Sequence, residues 1–250
     1  MKFFDRYING EDGRAVYTDI HSLGKDAFTV AHFEDIQNVL IETFNRVAFN
    51  LNVIFSELKK LNYAFKSEFQ CNLDRPLLAP LPNTHKLLIE LEEAVKDFGY
   101  IPLSLRLFYE IVGSVDFGWD YENKPELLWS CADPLQINSL DDLVSYVADG
   151  DWATYMEEGL DTGDSLDAYL EVAADYLHKD NISGGPPYSI QITREPSIDS
   201  LFLNEGNETT FIGYLRICME NCGFPGIAKP EFKNDYKAFF ERTRPLLKNI

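Results

Sequence analysis

Residues 91–119 read LEEAVKDFGYIPLSLRLFYEIVGSVDFGW, and the layout of the chain turns on them. Leu91, Val95 and Phe98, with Leu87 and Leu88 just upstream, lie on one side of a helix over residues 84–98. Gly99 is a natural C′ residue, free to take the left-handed conformation that closes a helix. Ile101 and Pro102 then open a further helix over residues 103–112, with Leu105, Phe108, Tyr109 and Val112 on its apolar face and Gly113 at its end. Beyond Gly113 the pattern changes to short runs, and residues 115–117 read as a strand.

Toward the N-terminus, residues 72–83 contain Pro76, Pro80 and Pro82. Proline removes a backbone donor and fixes φ, so this stretch reads as a linker or extended crossing and as the best boundary in the chain. Before it, Phe33, Ile36, Leu40, Phe44, Val47, Leu51, Ile54, Leu58 and Leu61 form one apolar stripe, which predicts a long helix over residues 31–61 with Thr29 as its N-cap. The first 25 residues are polar and interrupted by glycine, and are expected to be irregular.

Toward the C-terminus, residues 127–130, 135–137, 169–173, 188–193 and 201–203 read as strands. Ser139 with Asp142 three residues on resembles a capping box and starts a helix over residues 140–148. Residues 151–158 form a short helix, residues 183–187 (SGGPP) a turn, and residues 210–221 and 231–248 the last helices. Helices, then a group of strands, then helices again is the order of an α+β protein: an antiparallel or mixed sheet flanked by helices, with a long N-terminal helix. The expected division is a helical extension over residues 1–83 packed on an α+β domain over residues 84–250.

The chain has 250 residues, of which 45% are hydrophobic, enough for a sizeable core. It carries 41 Asp and Glu against 22 Lys and Arg, a formal net charge of −19. Such a surface repels nucleic-acid phosphates and anionic lipids and attracts basic proteins, so nucleic-acid and membrane partners are not expected. No run of about 18 apolar residues is present. The four cysteines are sparse and the first ten residues have no apolar run, which leads to the expectation of a cytoplasmic protein with reduced thiols.

Much of the negative charge is concentrated. Residues 119–180 hold 16 Asp and Glu against Lys124 and Lys179, a net of −14. Within this segment Asp151, Trp152, Tyr155, Glu157, Glu158, Asp161, Asp164 and Asp167 form the candidate partner-binding set. Aromatic anchors among acids suit a protein interface, and Trp152 and Tyr155, with polar neighbours, are the aromatics expected to be exposed. The competing reading of the same residues is a solvated face that confers solubility.

Other chemistry finds less support. Asp161, Asp164 and Asp167 lack the spacing of a calcium loop. Cys218 and Cys222 share a helix face but have no second pair to complete a zinc site, so they read as buried thiols. No phosphate-binding Gly-x-x-x-x-Gly-Lys-Ser/Thr and no Gly-x-Ser-x-Gly occurs, and the four histidines are scattered. His178, Lys179 and Asp180, before the Gly-Gly turn, could form a polar cluster. No catalytic residue, metal ligand or cofactor is predicted.

Residues 91–119 also resemble the defining segment of the SMI1/KNR4-like, or SUKH, superfamily. Gly99, Ile101, Pro102, Leu105, Phe108, Tyr109, Gly113, Phe117, Trp119 and, further on, Trp129 match its pattern of helix, glycine, proline step, helix, glycine and tryptophan-bearing strands. Val112 departs from it, since many members carry Asn there, and the first 80 residues have no counterpart. The resemblance implies a helix-flanked antiparallel sheet, no catalysis, and either an immunity protein that neutralises a toxin, often a nuclease, or a regulatory scaffold. Together with the charge it gives the leading expectation: a non-catalytic module that binds a basic, nuclease-like toxin domain through an acidic surface. The alternative is a carboxylate-based, cation-assisted hydrolase. Oligomeric state is not legible.

Overall fold

The computed structural model describes residues 2–66, 76–127, 129–162, 167–182, 184–228 and 234–250. Among them the architecture is α+β, with two three-stranded antiparallel sheets flanked by helices and one long helix near the N-terminus.

That long helix, α3 (Phe33–Lys60), organises the molecule. Its stripe of Ile36, Val39, Leu40, Phe44, Val47, Leu51, Ile54 and Leu58 is fully buried. Each such side chain contributes about 1.5–3 kcal/mol on leaving water. The helix packs against α5 (Leu103–Ile111), α9 (Phe211–Glu220) and α10 (Asn234–Thr243). Phe44 of α3 meets Phe108 of α5 edge-on at 6.2 Å, and Phe108 meets Phe211 of α9 at 5.5 Å, so three helices share one aromatic contact line.

The first 25 residues are not irregular as expected. They form α1 (Phe3–Ile8) and α2 (Gly13–Ser22), followed by a 3-10 turn over Gly24–Phe28. Asp35 of α3 accepts from the main-chain N–H groups of Phe3 at 2.6 Å and Phe4 at 3.3 Å, placing a carboxylate at the N-terminus of α1. Thr43 Oγ1 lies 2.9 Å from the hydroxyls of both Tyr7 and Tyr17, so one residue of α3 pins both short helices. Thr29 does not cap α3. Its hydroxyl donates back to the Asp26 carbonyl at 2.7 Å, and His32 occupies the N-cap position.

The first sheet runs β1 (Leu77–Leu78), β2 (Ser114–Asp116), β3 (Gln136–Ile137), with Val115 opposite Leu77 on one side and Ile137 on the other. The second runs β4 (Tyr169–Ala173), β5 (Tyr188–Gln191), β6 (Phe202–Leu203), with Ile190 between Leu170 and Phe202. Asn138 N–H donates to the Val172 carbonyl at 2.8 Å and links the two. A short helix, α8 (Tyr176–Lys179), interrupts the connection from β4 to β5 that sequence assigned to a turn alone; Ser183 of that turn lies outside the described residues.

The recognised segment folds as α4 (Thr84–Val95), α5 and β2. Gly99 (φ +145°) and Gly113 (φ +94°) have backbone conformations that other residues rarely adopt. A Cβ on Gly99 would stand 2.3 Å from the Thr193 carbonyl oxygen, and one on Gly113 2.1 Å from that of Leu78. Both glycines therefore let the chain cross close to a neighbouring backbone. Ile101, Pro102, Leu105, Phe108, Tyr109, Phe117, Trp119 and Trp129 are buried in the core, so the segment is structural.

Two further expectations fail for local reasons. Residues 127–130 are not a strand: a 3-10 turn spans Pro125–Leu127, Leu128 lies outside the described residues, and the Trp129 ring packs on Phe224, Tyr236 and Phe239. The last helix ends early. The described α10 stops at Thr243 and tightens into a 3-10 turn over Arg244–Leu246 that contains Pro245; the predicted start at residue 231 lies outside the described residues. Cys71 and residues 72–75 of the proline-bearing stretch also lie there; the described part, residues 76–83, is not a free linker, since Leu77–Leu78 is strand β1 and pairs with β2.

Candidate functional site: an acidic face with tyrosine anchors

Ser139 caps α6 (Leu140–Ala148) by accepting from the Asp142 N–H, as its spacing foretold. Gly150 (φ +84°) then turns the chain into α7 (Asp151–Thr162), which is longer than predicted. Both helices lie beside β4 at the edge of the second sheet.

Position on α7 decides which predicted residues can meet a partner. Asp151, Tyr155 and Glu158 follow at i, i+4 and i+7 and form an outward stripe; with Glu157 all four are exposed. Trp152 and Met156 face inward. Trp152 is 2% exposed, against the expectation from its polar neighbours, while Tyr155 is 57% exposed. The Trp152 indole N–H donates to the Tyr169 carbonyl at 3.0 Å, and its ring meets Phe98 edge-on at 5.0 Å. It anchors the acidic helix and cannot itself touch a partner. Asp161 falls at the end of α7, where the backbone alone is described, and Asp164 lies outside the described residues. Asp167 is half-buried and accepts from Gln191 Nε2 at 2.6 Å, which ties it to β5.

The structure adds three residues that sequence did not single out. Tyr146 of α6 and Tyr169 and Glu171 of β4 surround Tyr155. Tyr146 stands near enough to Glu171, and Tyr155 to Tyr169, for each pair to influence the other electrostatically. Burial, and then the Glu171 charge, push the Tyr146 phenol up to about 12. Burial raises the Glu171 carboxyl above the usual carboxylate range, opposed by the nearby Tyr146 hydroxyl. Interleaving of Tyr146, Tyr155 and Tyr169 through the acidic segment was the available signal. On or next to the same two helices, the carboxylates of Asp141, Asp142, Asp149, Asp151, Glu157 and Glu158 are exposed. No Lys or Arg occurs between Lys124 and Lys179.

The polar cluster expected near His178 lies elsewhere, at an open cleft of about 620 Å³. Asp175 accepts from the Leu177 N–H at 2.8 Å as the N-cap of α8, and also pairs with His178 Nδ1. That pair closes the first turn of the helix as a capping interaction does. The His178 bond and backbone N–H bonds hold the Asp175 carboxyl below its usual range, although burial, the largest influence, opposes them. Lys179, 4% exposed, bonds Asp133 at 2.6 Å, and the Tyr188 hydroxyl donates to the same carboxylate at 3.0 Å. Among the described residues lining this cleft, none is a serine, threonine or cysteine that the imidazole could activate. Cys218 and Cys222 are buried, and among the described residues no group of three or more His, Cys, Asp and Glu could hold a metal ion. No helix among them is long and apolar enough to cross a membrane.

No protein-family model, no curated protein and no solved structure matches this chain.

Proposed function

We propose that the chain is a non-catalytic protein-binding module whose face formed by α6, α7 and β4 takes a basic protein partner. The observation that carries this reading is the placement of half-exposed Tyr146 and Tyr155 among outward carboxylates. Tyrosine offers a large contact area at little entropic cost, and surrounding charges steer a partner of opposite sign. Glu171 adds a chemical requirement. Covering it deepens its burial, so a lysine or arginine must meet it if it is to stay ionised. The resemblance of residues 91–119 to the SUKH superfamily narrows the partner to a toxin domain of nuclease type and the role to immunity, with a regulatory scaffold as the related alternative. The hydrolase reading would need cation ligands that converge, which the described residues do not supply.

The test is the triple variant Asp151→Lys, Glu157→Lys, Glu158→Lys, measured by stopped-flow association with the basic partner over a salt series. Its association rate at low salt falls by about tenfold or more and its salt dependence flattens, while Tyr155→Ala mainly speeds dissociation. An unchanged rate and salt slope in the triple variant would leave these acids as a solvated face only.

A further inference from the structure

The chain has three tryptophans, and their indole N–H groups meet different surroundings. That of Trp152 donates to the Tyr169 carbonyl at 3.0 Å. Trp119 and Trp129 are 2% and 8% exposed, and the indole nitrogens of both are buried. Among the described residues neither nitrogen finds a hydrogen-bond acceptor. Indole is a donor only, so no flip or change of tautomer relieves it. A buried donor left unmade weighs against the folded state, and such groups are therefore almost always paired with protein or with ordered water.

The two rings are held where they are. Tyr63 meets Trp119 edge-on at 4.6 Å and lies 5.7 Å from Trp129, and its hydroxyl is fixed by donating to the Phe117 carbonyl at 2.6 Å. Phe224 meets Trp129 edge-on at 5.0 Å. Turning either indole toward solvent would break this close-packed cluster. Both tryptophans line one small cavity of about 10 Å³, together with Tyr63, Ala132, Lys179 and Asp180. That is about the room a single water needs. The chemistry of the wall selects the occupant. Two N–H donors call for an acceptor, which excludes a cation. An anion would lie against the Asp180 carboxylate, while the charge of Lys179 is already met by Asp133 at 2.6 Å. A neutral molecule with two lone pairs and two protons satisfies all of these groups. Asp180 Oδ2 accepts from the Cys131 N–H at 2.7 Å, and a carboxylate has about four acceptor positions, so it can take a further donor.

We propose that this cavity is a binding site for one long-lived water molecule, which accepts from the Trp119 and Trp129 indoles and donates to Asp180. The water joins the end of α8 to two stretches of chain far from it in sequence, and it gives both tryptophans a polar partner inside the core. The site is separate from the acidic face, to which none of these residues belongs.

Water-selective proton NMR of the full chain, isotope-labelled, tests it. Trp119→Phe, Trp129→Phe and Trp152→Phe each remove one indole signal and so assign it; through-bond assignment of the parent does the same if a variant fails to fold. The indole protons of Trp119 and Trp129 should both show a nuclear Overhauser cross peak to water, with the sign of a dipolar contact and not of proton exchange. The indole of Trp152, bonded to a carbonyl, should show none and serves as the control. Replacing chloride by sulfate in the buffer should leave both signals in place. A water contact at neither ring, or at only one, overturns the proposal. So does a shift of both signals on removing chloride, which would mark a halide as the occupant.

Discussion

Replacing Trp152 by alanine tests whether the acidic helix is held by a single anchor. The side chain is 2% exposed, its ring lies edge-on to Phe98 at 5.0 Å, and its N–H satisfies the Tyr169 carbonyl at 3.0 Å. Removing a buried tryptophan costs about 3–5 kcal/mol. The edge-on contact with Phe98 contributes about 0.5–1.5 kcal/mol beyond area burial, and the hydrogen bond about 1 kcal/mol. Most of this falls on α7, whose other inward contact to β4 is Met156 Sδ, 3.5 Å from the Tyr169 N–H. The expected result is that α7 detaches before the core melts. Hydrogen exchange in residues 151–160 should accelerate by two orders of magnitude or more, as a local loss of about 3 kcal/mol implies, while the helices around α3 stay protected. Trp152→Phe keeps the ring and loses the N–H, so it should cost about 1–1.5 kcal/mol. Urea unfolding followed by circular dichroism, together with exchange mass spectrometry, measures both. A Trp152→Ala protein whose α7 exchanges at the parent rate would refute the assignment of Trp152 as the anchor.

Asp199 offers a pH test. It is buried, accepts from Ser104 Oγ at 2.7 Å and from the Ile212 N–H at 3.1 Å, and burial raises its carboxyl above the ordinary value of 3.8. The native state therefore holds the proton more tightly than the unfolded chain. The stability it confers is complete below pH 3.8 and is lost as pH rises through the folded value. Asp199→Asn can keep both contacts with its amide, so unfolding free energies at pH 4 and pH 7 should show the variant gaining on the parent as pH rises; a constant difference counts against the assignment. Cysteine reactivity tests the packing of α9. Burial pushes the Cys222 thiol up to about 12 and also raises the Cys218 thiol well above its ordinary 9.0, whereas Cys131 is partly exposed. A thiol reagent at pH 8 should modify Cys131 in the native protein and spare Cys218 and Cys222 until denaturant is added, as peptide mapping would show.

Where one element carries a long regular pattern, the sequence was readable. The stripe of α3, the Ser139 cap and Gly113 just past the end of α5 each rest on a local rule, and the chain obeys it. Gly99 does not close its helix, because α4 ends at Val95, three residues before the expected end, and the glycine instead lets the backbone pass close to Thr193. Local rules failed where a distant contact decides. Val16, Tyr17 and Ile20, behind a capping Asp12, were a signal for α2, but what makes that helix worth forming is Thr43, 26 residues beyond Tyr17. Trp152 was misread because an inward pair at 152 and 156 is too short a pattern to stand out among acids. At the acidic face the charge was legible and the outward direction of Tyr155 was anticipated, but the approach of Tyr146 to Glu171 joins two elements and leaves no spacing to detect.

The bond between Asn50 and Lys248 spans 198 residues, and it bears on how the protein is made. On a ribosome, α3 emerges early with its apolar stripe complete. Its later partner α5 follows soon, but α9 begins roughly 150 residues after α3 ends. At about 5–20 residues per second, this helix waits on the order of 10–30 s for cover. During that interval it is a sticky cylinder 28 residues long, exposed to other nascent chains and to chaperones. Thr43 and Asn50, set within the stripe, interrupt its greasiness while it waits, and later become the points that fasten the earliest and the latest segments to the same helix.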